Sequence, residues 1–268
     1  VSDVFLLGGR VAVVTGGTGA IGGALAAGLA EAGARVVVLA RHVDATVPPS
    51  AAGDDDRTVG VAADVLDRAS LEAARDAVVE RFGAVHVLVN CAGGNLPAAT
   101  LAGDASPFDL PDAAWSDVVD LNLLGTVLPS QVFGAAMPTS AGCSIVNVSS
   151  MAASRALTRV GGYGAAKAAV ESYTRWLAVE LARRGTGIRV NAIAPGFLIG
   201  DQNRALLLRE DGTLTDRGAA VIERTPLGRF GEPDDLVATV VWLVSDGARF
   251  VTGAVIPVDG GFGSYAGV

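Results

Sequence analysis

Short apolar runs alternate with longer amphipathic stretches along the chain. Val11–Thr15, Arg35–Ala40, Thr58–Ala63, Val85–Asn90, Ser144–Ser149 and Arg189–Ala194 are rich in Val and Ile and lack strict alternation. Strands buried on both faces read this way. Between them, Gly22–Glu31, Ser70–Phe82, Pro111–Met137 and Tyr163–Arg184 predict helices. A helix at Glu232–Ser245 precedes a last strand at Ala254–Val258. Strand–helix alternation implies parallel strands joined by right-handed crossovers, hence a doubly wound parallel α/β sheet with helices on both faces.

No repeat or linker divides the pattern, so residues 1–268 read as one domain. Val43–Asp56, with Pro48-Pro49 and three consecutive Asp, reads as a surface loop. Phe197–Arg229 breaks the alternation, mixing Gly, polar residues and a Leu run. It follows a strand end, where open α/β sheets bind ligands, and is a candidate substrate lid or a packing extension. Val11–Ala30 carries no charge and is long enough for a membrane span, but it holds six Gly and two Thr. A strand, a turn and a helix explain it better, with no membrane partner.

Composition narrows the functional classes. Half of the 268 residues are apolar and 18% are charged, which argues against global disorder. A formal net charge of -8 argues against a nucleic-acid partner. Cys91 and Cys143 lie far apart without zinc spacing, which favours a reduced, cytoplasmic setting. His42 and His86 are too few and too isolated for a His-based metal site or a Ser-His-Asp triad, so no metal is expected. Of 20 basic residues only Lys167 is Lys. Where Arg has replaced Lys so widely, a surviving Lys marks a place where Arg does not serve.

The first strand runs into Thr15-Gly16-Gly17-Thr18-Gly19-Ala20-Ile21-Gly22, which opens a helix. Glycines there allow close backbone approach to a pyrophosphate, and the helix N-terminus presents unpaired N–H groups to the anion. The second strand ends at Ala40-Arg41 rather than at the carboxylate that holds a ribose 2′-hydroxyl. Arg41 is thus a candidate ligand of a 2′-phosphate, favouring NADP(H) with NAD(H) possible; otherwise it lies over adenine or points to solvent. Asp64 follows the third strand, where it could accept from the adenine amino group, and Asn90-Cys91-Ala92-Gly93-Gly94 follows the fourth with small residues beside a ribose.

Tyr163 and Lys167 stand four apart near a helix start, on one helical face. An ammonium and an oxidised nicotinamide would both favour phenolate, making Tyr163 a general acid or base for a carbonyl/alcohol pair. Ser149-Ser150 ends the fifth strand and offers a hydroxyl to the substrate oxygen, or a helix cap.

Taken together, these residues resemble the short-chain dehydrogenase/reductase family over essentially the whole chain. The matching features are Thr15–Gly22, Asp64, Asn90–Gly93, Asn122 in Leu121–Gly125, Ser150, Tyr163-x-x-x-Lys167 and Pro195-Gly196. Arg229–Pro233 and Val258–Gly261 also match. The resemblance implies a Rossmann-type fold and a homotetramer or homodimer. It implies Tyr163 as acid/base, Ser150 as polariser of the substrate oxygen, and Lys167 as ribose ligand that lowers the tyrosine pKa. Asn122 would hold a relay water. Cofactor binding would fall to Gly16, Thr18, Gly19, Ile21, Gly22, Arg41, Asp64, Asn90, Ala92, Gly93, Tyr163, Lys167, Pro195 and Gly196. Two positions depart from the family pattern: Ala20 replaces a Gly, which negative φ would tolerate, and Gly200 replaces a Thr that commonly binds the carboxamide.

Gly93–Asn95, Leu128–Gln131, Met151–Arg159, Gln202–Arg204, Gly212–Gly218 and Gly261–Tyr265 resemble a subgroup described as D-mannonate oxidoreductases or fructuronate reductase-like enzymes. A small-molecule sugar acid is then the expected substrate. Asn95, Ser150, Gln202 and Asn203 would meet its oxygens, and Arg155, Arg159 and Arg204 its carboxylate, unless these arginines are surface residues. The alternatives are a reductase of another carbonyl, such as a 3-oxoacyl thioester or cyclic ketone, and a nucleotide-binding sensor without turnover.

Overall fold

The computed structural model describes residues 2–43, 57–139, 142–200 and 203–267. Most of the expected Val43–Asp56 loop lies outside them. Seven strands form one sheet: β1 (Val11–Thr15), β2 (Arg35–Ala40), β3 (Thr58–Ala62), β4 (Val87–Asn90), β5 (Ser144–Val148), β6 (Arg189–Pro195) and β7 (Val255–Val258). Their order is β3-β2-β1-β4-β5-β6-β7, and every pairing is parallel. The chain winds outward in both directions from β1 and β4. A crevice therefore opens at their carboxyl ends, where the topology switches.

Both faces of the sheet are covered, which is why the strands lack alternation. Ala12, Val14, Val36 and Val38 pack into one core with α1 (Ala20–Glu31) and α8 (Val237–Val244). Val11, Val13, Val37 and Leu39 point to the other core, with α2 (Arg68–Phe82), α4 (Gly125–Gly134) and α5 (Gly161–Arg183). Side chains of period two thus feed two layers, and each buried Val or Leu contributes about 1.5–3 kcal/mol.

The predicted helix at Pro111–Met137 is broken. It consists of α3 (Asp112–Val119), a π-turn (Asp120–Leu124) and α4. The physical cause lies in Asn122, whose Nδ2 donates to the Val118 carbonyl at 2.8 Å. A side-chain amide thus competes with the backbone ladder at the point where the turn widens. Pro129, inside α4, lacks an N–H for that ladder as well.

Phe197–Arg229 carries α6 (Arg204–Leu207) and α7 (Asp216–Glu223), joined through a bridge between Leu208 and Leu214. Thr215 caps α7 by accepting from the Gly218 N–H at 3.0 Å. Gly218 is required there, because a Cβ would lie 2.1 Å from the Leu207 carbonyl oxygen. Among the described residues no helix is long and apolar enough to cross a membrane.

Candidate active site

The turn from β1 into α1 is shaped by backbone contacts that admit no side chain at Gly16 or Gly22. Gly16 has φ 65°, and a Cβ on it would lie 2.8 Å from the Ala92 Cα. On Gly22 a Cβ would lie 2.3 Å from the Gly16 carbonyl oxygen. Gly19 is the N-cap of α1 and supplies no side chain to its N–H groups, while Thr18, Gly19 and Ala20 are exposed. Ile21 is half-buried behind them. Ala20 opens the helix, and Arg159 is the only non-glycine with positive φ among the described residues. The methyl of Ala20 is therefore tolerated, as negative φ allows. An open cradle of backbone at a helix N-terminus suits a dinucleotide pyrophosphate.

The end of β4 is locked to this turn. The Thr15 hydroxyl accepts the Cys91 and Ala92 N–H groups at 3.0 and 3.1 Å. The Thr15 hydroxyl was not among the expected site residues, although it opens the glycine motif. At the outer strand ends, Arg41 is exposed with no hydrogen-bond or ion-pair partner among the described residues. One Asp64 oxygen accepts from the Leu66 N–H at 2.9 Å. Asn90 is 1% exposed and braces the floor of the site: its Nδ2 donates to Ser130 Oγ and Asn147 Oδ1, each at 2.8 Å, and its Oδ1 has no partner among the described residues.

Pro195 ends β6, and Gly196 follows with its N–H donating to the Val258 carbonyl at 3.0 Å. A Cβ on Gly196 would lie 2.7 Å from the Asp259 Cα, so only glycine lets the segment after β7 pass.

The catalytic candidates converge at the carboxyl ends of β4 and β5. Ser150 leaves β5 in extended conformation (φ -166°) and caps a short 3-10 turn, accepting from the Ala152 N–H at 3.2 Å. Its hydroxyl stands near enough to Tyr163 to pull the phenol pKa down. Ser149 is distinguished from it: buried, it donates to Glu171 Oε1 at 3.0 Å and is unavailable to a substrate. Lys167 is 4% exposed, donates from Nζ to the Val148 carbonyl at 2.8 Å, and lies 5.7 Å from the centre of the Tyr163 ring. A Cβ on Gly93 would stand 3.4 Å from that Nζ, so the ammonium faces the space a ribose needs.

Asn122 is held from both ends. Its Oδ1 accepts from the Gly94 N–H at 3.0 Å, and its Nδ2 donates to the Gly94 and Val118 carbonyls, each at 2.8 Å. The side chain thus clamps the Gly93–Gly94 segment beside Lys167.

Burial governs the electrostatics of this cluster. It pushes the Tyr163 phenol upward, the Ser150 hydroxyl pulls it downward, and Cys91 adds a smaller upward push. Burial brings Lys167 down to about 8 and sends the Cys91 thiol up to about 11. Desolvation disfavours charge on each of them, so a cation bound beside Tyr163 would favour its phenolate.

The arginines assigned to a substrate carboxylate do not meet at one point. Arg155 donates through Nε to the Gly263 carbonyl at 2.9 Å, with Nη2 on the same oxygen, and so ties down the C-terminal segment. Arg159, with φ 75°, exchanges bonds with Leu101: its Nε donates to the Leu101 carbonyl at 2.7 Å, and its own carbonyl accepts the Leu101 N–H at 2.9 Å. Asn203 closes the turn after β6, accepting from the Gly200 N–H at 3.0 Å and donating to the Leu198 carbonyl at 2.7 Å. Gln202 lies outside the described residues. Arg204 is exposed and lines a cleft with Ala20 and Ala24 of α1.

Two groups stand on the substrate side. Asn95 donates from Nδ2 to Thr100 Oγ1 at 2.5 Å, while its Oδ1 is buried without a partner. The Thr100 hydroxyl proton goes to the Leu96 carbonyl at 3.0 Å, which fixes the orientation of the Asn95 amide. Arg217, not anticipated from the sequence, reaches from the first turn of α7 to Thr158 Oγ1 at 3.4 Å, beside the loop that precedes Tyr163. The Thr215 cap two residues earlier was the available signal, since it fixes which residues open the helix.

The family model described as enoyl-(acyl carrier protein) reductase matches residues 16–263. The chain belongs to the short-chain dehydrogenase/reductase family. An uncharacterized oxidoreductase, UxuB, of Bacillus subtilis (strain 168) is 44% identical over 275 residues, covering 98% of each chain. Among solved structures of the family, a candidate D-mannonate oxidoreductase from Haemophilus influenza with bound NAD aligns with TM-score 0.90 and 37% identity over 98% of each chain. A gluconate 5-dehydrogenase from Burkholderia cenocepacia J2315, in complex with NADP and tartrate, aligns with TM-score 0.86 and 32% identity, over 98% of this chain and 99% of that one. This short-chain dehydrogenase/reductase is an NAD(P)-dependent oxidoreductase.

Proposed function

We propose that the enzyme interconverts a secondary alcohol and a carbonyl on a sugar acid or another polyhydroxylated small molecule, with NADP(H) preferred. The observation that carries the substrate class is the Asn95 Oδ1, buried in the loop after β4 and without a partner among the described residues. Leaving such an acceptor unmet costs about 1–3 kcal/mol, and a substrate hydroxyl would relieve it. Arg217 offers positive charge nearby, and no ion pair joins it to a carboxylate among the described residues. The acid-binding relatives point the same way.

In this reading Ser150 donates to the substrate oxygen and Tyr163 exchanges a proton with it. Lys167 holds the nicotinamide ribose, and Asn122 keeps Gly93–Gly94 clear of it. The bound nicotinamide supplies the hydride chemistry. Arg41, exposed after β2, supports NADP(H) because no acidic residue stands at the strand end to repel a 2′-phosphate. The 197–229 excursion closes over the substrate as a lid.

The enzyme works in the cytoplasm as a homotetramer or homodimer, without nucleic acid or membrane. The exposed apolar face of the π-turn and α5 supports an oligomer: Leu124, Trp176 and Val179 are 39%, 57% and 56% exposed.

A panel of sugar acids, polyols, cyclic ketones and a 3-oxoacyl thioester, assayed with both cofactors by nicotinamide absorbance, tests this. Turnover is expected on the polyhydroxylated acids, with kcat/KM higher for NADP(H) and shifted toward NAD(H) by Arg41→Asp. Turnover confined to the ketone or thioester would overturn the substrate class. A cofactor ratio unmoved by Arg41→Asp would overturn the role of that residue.

A further inference from the structure

The turn after β6 faces the opening of α1 across a cleft of about 570 Å³. Ala20 and Ala24, on the first two turns of α1, line one side; Ile199 and Arg204 belong to the other. Glu232 and Asp234 also line it, so two carboxylate-bearing side chains stand beside a region meant for an anion. Arg204 is the one cation among the lining residues. It has no hydrogen-bond or ion-pair partner of its side chain among the described residues.

Local bonding aims this residue. Asn203 pins the backbone at Leu198 and Gly200, and the Arg204 N–H donates to the Gly200 carbonyl at 2.9 Å. At Gly200 itself a Cβ would meet nothing within 4 Å among the described residues. Across the cleft, the first N–H groups of α1 have no side-chain cap.

We propose that Arg204 is a cofactor-positioning residue whose guanidinium binds the pyrophosphate from the side opposite the α1 N-terminus. It is not a substrate-carboxylate ligand. The inference rests on the dinucleotide-binding reading of this site. Helix N–H groups and a planar guanidinium are complementary ligands for one pyrophosphate, each donating to different oxygens. A cation between the anion and Glu232 and Asp234 also offsets their repulsion.

Isothermal titration of the full-length wild type, Arg204→Gln and Arg204→Lys with ADP-ribose and with adenosine 2′-monophosphate separates the possibilities. The first probe carries the pyrophosphate; the second does not. Arg204→Gln is expected to weaken ADP-ribose about tenfold, the scale of one charge-assisted contact, and to leave the monophosphate unchanged. Arg204→Lys should recover part of the loss. Unchanged ADP-ribose affinity overturns the proposal, as does an Arg204→Gln effect confined to substrate KM at saturating cofactor. Failure of the wild type to bind either probe would instead overturn the dinucleotide-binding reading, and this proposal with it.

Discussion

The floor under Tyr163 and the excursion across the cleft are built on opposite plans. The floor is joined by buried side chains that are distant in sequence. Asn90 and Asn147 are 57 positions apart, Asn90 and Ser130 are 40 apart, and Asn147 donates to Thr174, 27 positions on. The excursion is held mostly by neighbours. Arg209 bonds to Leu214 five positions away, and Thr215 to the Leu206 carbonyl nine away. Its long-range side-chain hydrogen bond among the described residues is Arg217 with Thr158 at 3.4 Å, while its start is anchored by packing, Phe197 edge-on to Phe262 and Leu198 in the main core. Long-range buried bonds open only when the core opens, whereas local exposed ones form and break within one segment. The contrast fits the proposed division, with chemistry on the rigid side and substrate admission at the excursion, whose side-chain hydrogen bonds are mostly local.

Tyr163→Phe gives the largest test of that division. It should lower kcat by about 10²–10⁴-fold, the usual contribution of a general acid or base, with ADP-ribose affinity kept. Near-normal kcat would move the chemistry off the floor. Asn147→Leu probes the floor's construction. It removes an acceptor from Asn90 and a donor from Thr174, and should cost roughly 1–3 kcal/mol in urea unfolding. A cost near zero would mean that the buried network is not what holds the floor rigid.

Proton linkage supplies a third test. Lys167 titrates at about 8 when buried, against an ordinary value of 10.5. Between those values the unfolded chain binds the additional proton, so raising the pH removes a cost of folding. Cys91 acts in the opposite sense from its ordinary 9.0 up to about 11, because there the unfolded thiol ionises first. The Lys167 gain should therefore show between about pH 8 and 9 as a rise in wild-type urea midpoint relative to Lys167→Met. Parallel midpoints would show that the ammonium is not desolvated. Arg209→Gln is the smallest perturbation, expected to change stability by less than about 0.5 kcal/mol because its partners are exposed. A larger loss would give the excursion a rigidity its bonding does not suggest.

The sequence reads well where a pattern has one physical cause. Val11–Thr15 and Arg35–Ala40 are recovered to the residue, because doubly buried parallel strands need unbroken apolar runs between turns. The glycine turn is legible because backbone crowding excludes a side chain at Gly16 and Gly22. The π-turn is not, since it depends on an amide reaching Val118, a competition that helical periodicity does not encode. Ser149 and Ser150 are adjacent hydroxyls, and only the positions of Glu171 and Tyr163 separate their roles. Arg155, Arg159 and Arg204 look alike along the chain but face Gly263, Leu101 and the α1 cleft respectively. Charge is visible in a sequence, whereas the direction of a long side chain is set by tertiary packing.

Because the only lysine side chain lies in the site itself, the molecule contains its own isotopic reporter. Labelling lysine alone with ¹⁵N and ¹³C would place one side-chain resonance in an otherwise silent spectrum, at the ammonium beside Tyr163. Ligand docking and proton release could then be followed at that atom without engineering a probe into the protein.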